Sequence, residues 1–159
     1  MPSSCPGTVP ATLPWEADFD PSRAIARITH CTPDTLQVQV RGQSPAMLLE
    51  GVAAVCGLHA RWRHGFRVQV YLASMTGVRL QPTQATSAGA RLLQATTRAL
   101  LYEVTADFLA APAQVTLAME PLDHPLTLFA ERFQCLLSSP PCADASTLPT
   151  STDSPEILS

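Results

Sequence analysis

The stretch P-A-M-L-L-E-G-V-A-A-V-C-G-L-H-A-R-W-R-H-G, residues 45–65, constrains the fold more than any other part of the chain. At 3.6 residues per turn it makes about five turns. Leu48, Leu49, Val52, Ala53, Val55, Cys56, Leu58 and Trp62 spread over most of its wheel, which predicts a helix buried in protein on nearly every side. The apolar run is too short, and too soon broken by arginine, to span a bilayer. Ser44 and Pro45 suit the N-cap and first helical positions, while Arg61, Arg63 and Gly65 suit the far end. One carboxylate, Glu50, is read in the first turn of this apolar rod, with Ala54 and Gly57 on its face at i+4 and i+7. A buried carboxylate with no cation four residues away is costly, and its pKa rises toward that of a usable acid or base. Glu50 fits a second role equally: a negative charge stabilised by the positive end of the helix.

The flanking segments alternate. Residues 24–30 and 35–41 read as two strands joined by C-T-P-D into a hairpin, with Leu36, Val38 and Val40 on one face and Gln37 and Gln39 on the other. Residues 66–80 read as extended and bent near 74–77, followed by strands over 90–96, 99–107 and 114–120; residues 92–101 suit a helix equally on propensity. After Asp123-His124-Pro125, Leu126, Phe129, Phe133, Leu136 and Leu137 recur at helical spacing and predict a shorter helix packed on the outside. Pro, Ser and Thr concentrate at the ends, so 1–14 and 138–159 are expected to be disordered around a domain at 15–137, with Trp15 and Phe19 returning the chain to the core.

Composition removes several chemistries. A net charge of -3 gives no general attraction to nucleic acid. All ten basic residues are arginine, which excludes a Schiff-base lysine and a lysine-bearing P-loop. The five cysteines show no C-x-x-C spacing, and the acidic residues are scattered, so no disulfide framework, metal or cofactor is expected and a reduced, cytoplasmic setting fits best. Neither a secretory signal in the first twenty residues nor a membrane-length apolar run is found. Cys56 has no histidine one turn away to activate it and reads as a small core hydrophobe; no G-x-S-x-G elbow is present.

Two strands, a long helix and about four further strands is the element order of an α+β hotdog fold, an antiparallel sheet wrapped around one central helix. The helix words P-A-M-L-L-E-G-V-A-A-V-C-G-L-H-A resemble the central helix of 3-hydroxyacyl-ACP dehydratases, where an acid near the start is followed by small residues and a glycine. V-Y-L-A-S-M-T-G-V-R-L, residues 70–80, looks like the strand that follows it in the dehydratase-like proteins of bacterial aryl-polyene and fatty-acid-type gene clusters. The resemblance covers roughly residues 13–121. It implies a dimer that removes water from a 3-hydroxyacyl thioester carried on acyl carrier protein, with a histidine taking the α-proton and the helix acid protonating the departing hydroxyl across the dimer interface. Glu50 matches the acid, and Ala54 and Gly57 fall where the substrate would lie. The histidine-bearing loop ahead of the helix has shrunk here to R-G-Q-S, and Ala54 stands where the family usually has glutamine.

The other histidines fit the missing role unequally. His59 lies about 180° around the helix from Glu50, and His64 is fourteen residues and about 21 Å further along the axis. His124 opens the last helix. His30 ends the first strand and is the candidate base from a partner protomer. Arg61, Arg63 and Arg67 are candidates for docking an acidic carrier protein, or for completing a helix C-terminus. Three readings stay open: a hydro-lyase, an impaired subunit paired with another hotdog chain, and a hotdog thioesterase, which needs the helix acid but uses water and no histidine base.

Overall fold

The structure, a computed structural model, describes residues 23–41 and 44–140. The expectations for 1–14, Trp15, Phe19 and most of the C-terminal tail fall outside these residues. The elements run β1 (Ile25–Cys31), β2 (Thr35–Val40), α1 (Pro45–Arg63), β3 (Val68–Thr76), β4 (Ser87–Ala95), β5 (Ala99–Ala106), β6 (Ala113–Pro121) and α2 (Thr127–Ser138). Six strands form one antiparallel sheet in the order β1-β2-β4-β5-β6-β3. The β1–β2 hairpin forms as its alternation predicts, and α1 then carries the chain across the sheet to the far edge, where β3 pairs with β6.

Residues 92–101 are strand, turn and strand rather than helix. The Thr96 hydroxyl accepts from the Ala99 backbone N–H at 2.9 Å and closes the β4–β5 turn, and cross-strand pairing overrides the helical propensity. The expected bend after residue 66 comes as a register shift between Leu72 and Ser74, followed by Gly77 at φ 74°. Helix α1 ends two residues earlier than expected, since Gly65 and Phe66 both take φ 60° and turn the chain sharply into β3.

The inner face of the sheet buries Leu36, Val38, Leu100, Tyr102, Val104, Val115 and Leu117 against α1. The helix can come this close because Gly51 faces β2: a methyl group there would sit 2.5 Å from Val40 Cγ1. Ser44 caps α1 by accepting from the Met47 N–H at 3.3 Å, with Pro45 in the first turn. Two expectations need correction. The wheel is not covered all round, since Leu49 is 39% exposed and Ala53 and Ala54 are half-buried; the sheet wraps α1 from one side only. Glu50 lies in the second turn, beyond the first-turn N–H groups, which removes most of the helix-dipole explanation for it.

His59 is a buried pin between helix and sheet. Its Nε2–H donates to the Thr32 carbonyl at 2.8 Å, which leaves Nδ1 to accept from the Tyr102 hydroxyl at 3.0 Å. Its ring also stacks on Trp62, which stacks on Phe133 of α2 with centroids 6.0 Å apart, and Phe66 meets Phe133 edge-on. The aromatic run ties sheet, α1 and α2 together.

Two stability predictions follow from this packing. Gly51→Ala gains helix propensity but forces Val40 aside, and we expect a net loss of about 1 kcal/mol in denaturant unfolding; adding Val40→Ala should recover part of it, and an unchanged midpoint for the single variant would refute the close-approach argument. Burial, partly offset by the Thr32 hydrogen bond, holds the His59 pKa below its ordinary value. The native ring is therefore neutral while the unfolded chain takes up a proton below about pH 6.5, so this contribution is complete above that pH and is lost as pH falls. The gap in melting temperature between wild type and His59→Leu should shrink from pH 7.5 to pH 5; a constant gap would contradict the assignment.

Candidate functional site

Helix α2 packs across β1 and α1 and closes one side of a pocket of about 480 Å³, within the range usual for small-molecule sites. From α1 the pocket receives Glu50, Ala54, Leu58 and Arg61, one helix face stepped by three or four residues. From α2 it receives Leu128, Phe129, Arg132 and Leu136, and Ile25 of β1 completes the wall. Glu50 is half-buried there, and loss of water raises its pKa above the ordinary carboxylate range. Among the described residues the one salt bridge is Arg91 to Glu103 at 2.8 Å on the outer face of the sheet, so Glu50 has no cation partner. The arrangement is a proton acceptor on an apolar wall, with Arg61 farther along the same helix face and Arg132 entering from α2.

The residues singled out from the sequence divide. Glu50 and Ala54 come together as expected. Gly57 does not line the pocket; it faces β3, where a methyl group would meet Val70 at 3.6 Å and Arg61 Nη1 at 3.2 Å. Its bareness makes room for the Arg61 side chain. His30 is exposed on edge strand β1 and is not among the residues around Glu50. His59 points into the sheet, and neither His64 nor His124 lines the cavity.

The three arginines do not form a single patch. Arg61 turns into the pocket, its Cζ 4.1 Å from the centre of the Phe129 ring. Arg63, about 200° further round the helix, donates to the Pro33 carbonyl at 3.1 Å, and Arg67, past the end of α1, donates to the Asp123 carbonyl at 3.3 Å. The helical spacing of Phe129 does not reveal its contact with Arg61, and Arg132 is not among the residues singled out from the sequence. The signal was there: Arg132 is the one cation in an otherwise largely apolar helix. The thiol of Cys56 is sealed in the core, where burial pushes its pKa up, in keeping with a packing role.

No family model and no curated protein matches the chain. Solved structures do. Thioesterase HI1161 from Haemophilus influenzae superposes with a TM-score of 0.52 at 12% identity, covering 61% of this chain and 79% of that one. A thioesterase family protein from Silicibacter pomeroyi gives 0.51 at 13% identity, covering 69% and 90%. AziG from S. sahachiroi gives 0.50 at 16% identity, covering 60% and 91%. At these identities the likeness establishes the fold, the α+β hotdog arrangement. No described helix is long and apolar enough to cross a membrane.

A raised carboxylate pKa means that the folded chain holds the proton more readily than the unfolded one, so stability falls as pH rises through the folded-state value. Glu50→Gln removes that charge with little change in shape. The variant should melt higher than wild type at pH 7.5, with the difference vanishing near pH 4; an equal or lower melting temperature at pH 7.5 would show that Glu50 is not desolvated.

Proposed function

We propose that the protein binds an acyl thioester in the pocket between α1 and α2 and hydrolyses it, with Glu50 as general base. The observation that carries this reading is a desolvated carboxylate on an apolar pocket wall that no histidine joins among the described residues. Hydrolysis needs one group that takes a proton from water and later returns it. The Glu50 carboxylate accepts the proton, the water oxygen bonds to the thioester carbonyl carbon, the C–S bond breaks, and the thiolate leaves with the proton that Glu50 held. A pKa raised by loss of water suits both halves of that exchange. The thioesterase names of two structural neighbours support the same direction.

Assembly belongs to this proposal. Edge strand β3 leaves Tyr71 50% and Leu72 52% exposed, and on α1 Leu49 is uncovered as well. A second copy, or another hotdog chain, pairing along β3 would cover the strand edge. Arg63 and Arg67, both exposed, supply positive charge against which an acidic acyl carrier protein docks.

A second reading, dehydration of a 3-hydroxyacyl thioester, is favoured by the helix and 70–80 words described above. In it Glu50 protonates the departing hydroxyl and His30 reaches across from a partner protomer. An impaired subunit that shapes the pocket of an active dehydratase is the variant of this reading in which His30 plays no part.

One assay separates the readings. Acyl thioesters with and without a 3-hydroxyl are incubated with the protein, and free thiol and enoyl product are followed together. We expect thiol release that Glu50→Gln lowers about 100-fold or more. Enoyl product without thiol, lost in both Glu50→Gln and His30→Ala, would replace hydrolysis with dehydration. Neither product, with capture of an active dehydratase, would leave the partner role.

A further inference from the structure

Arg61 is the unusual member of the pocket. It is half-buried, its Nε lies out of contact with water and has no hydrogen-bond partner among the described residues, and burial presses its pKa below the ordinary value. The face of the guanidinium rests on Phe129, a cation–π contact of about 0.5–2 kcal/mol. That contact uses the π face and leaves the N–H edge without an acceptor among the described residues. Gly57 provides the space in which the group sits. Arg132 enters the same cavity from α2, and neither arginine has a carboxylate partner among the described residues.

A plain hydrocarbon chain filling this pocket would strip water from both guanidinium groups and return nothing, which is among the costlier things a ligand can do. A carboxylate reverses the sign, because it accepts paired N–H bonds from a guanidinium edge. The remaining lining is Ile25, Ala54, Leu58, Leu128 and Leu136, suited to methylene groups. Glu50 and Arg61 stand eleven residues apart, roughly 16 Å along the α1 axis, so acid and cation mark different ends of an extended ligand.

We propose that the acyl group held between α1 and α2 ends in a carboxylate, received by Arg61 and Arg132, while its thioester end lies at Glu50. The substrate class is thus the monothioester of a dicarboxylic acid. This rests on the acyl-thioester reading for the identity of the second end, but the recognition of the carboxylate is testable without any turnover.

Calorimetric titration with monomethyl suberate, which carries one free carboxylate and one neutral ester, is compared with dimethyl suberate. The wild type should prefer the monoester at least tenfold. Arg61→Met and Arg132→Met should each erase most of that preference, and Arg61→Lys should keep part of it. Unfolding temperatures confirm that each variant is folded, and Arg61→Lys and Arg132→Met keep the test decisive if Arg61→Met does not fold. Equal or tighter binding of the diester, or a preference that survives Arg61→Met and Arg132→Met combined, overturns the proposal. If thioesters of every kind release no thiol while the monoester preference depends on the arginines, the hydrolase reading fails and the carboxylate site stands.

Discussion

The structure depends on how closely one helix can lie against six strands. A helix and a sheet separated by bulky side chains on both surfaces leave gaps, and interiors do not tolerate gaps. Here the helix is thinned where it meets β2, at Gly51, and again where it meets β3, at Gly57. The sheet supplies the bulk in return, with Val40, Tyr102 and Val104 filling the space against the helix. The residues that make α1 a poor helix on propensity are those that let it sit in the curve of the sheet.

The pocket is a consequence of the same geometry. A sheet that curls around one side of a helix leaves the opposite side open, and the chain spends its last described segment covering part of it with α2. Phe133, buried beside Trp62 and Phe66, fixes that cover; the burial of such a side chain contributes about 1.5–3 kcal/mol. The space left between the helices is apolar because the elements around it would otherwise be core. Placing Glu50 and Arg61 there works against stability, since both are partly removed from water without an ion-pair partner among the described residues. Residues that a fold would be more stable without are where function is most directly visible.

Much of this was legible in the sequence, for reasons that differ by element. Strand β2 announced itself because Leu36, Val38 and Val40 alternate with glutamines, and α1 because Ser44, Pro45 and the arginines mark its ends. Glu50 stood out as the single charge in an apolar run. Its turn was misread by one, and the coverage of α1 was overestimated, because a wheel shows which faces are apolar and not how much protein is available to cover them. The strands around residue 96 were ambiguous, since leucine and alanine favour helices locally and only long-range pairing with β2 and β6 decides against it. The arginines were grouped by closeness in sequence, whereas 100° per residue sends Arg61 and Arg63 to different surfaces. Arg132 stands out locally as the one cation of α2, but its place in the pocket follows only from the packing of α2 beside α1, a contact between segments far apart in the chain.

The order of the parts along the chain has a consequence for how such a protein diversifies. The sheet and its central rod are complete before α2 begins, and α2 is fastened by its packing on β1, a few aromatic rings and the Leu126 N–H on the Phe66 carbonyl. A segment attached in this way, outside the sheet, can be lengthened, reshaped or exchanged while the pairing of the strands is left intact. The bore and charge of the chamber are therefore free to drift from one descendant to the next, independently of the scaffold that makes a chamber possible.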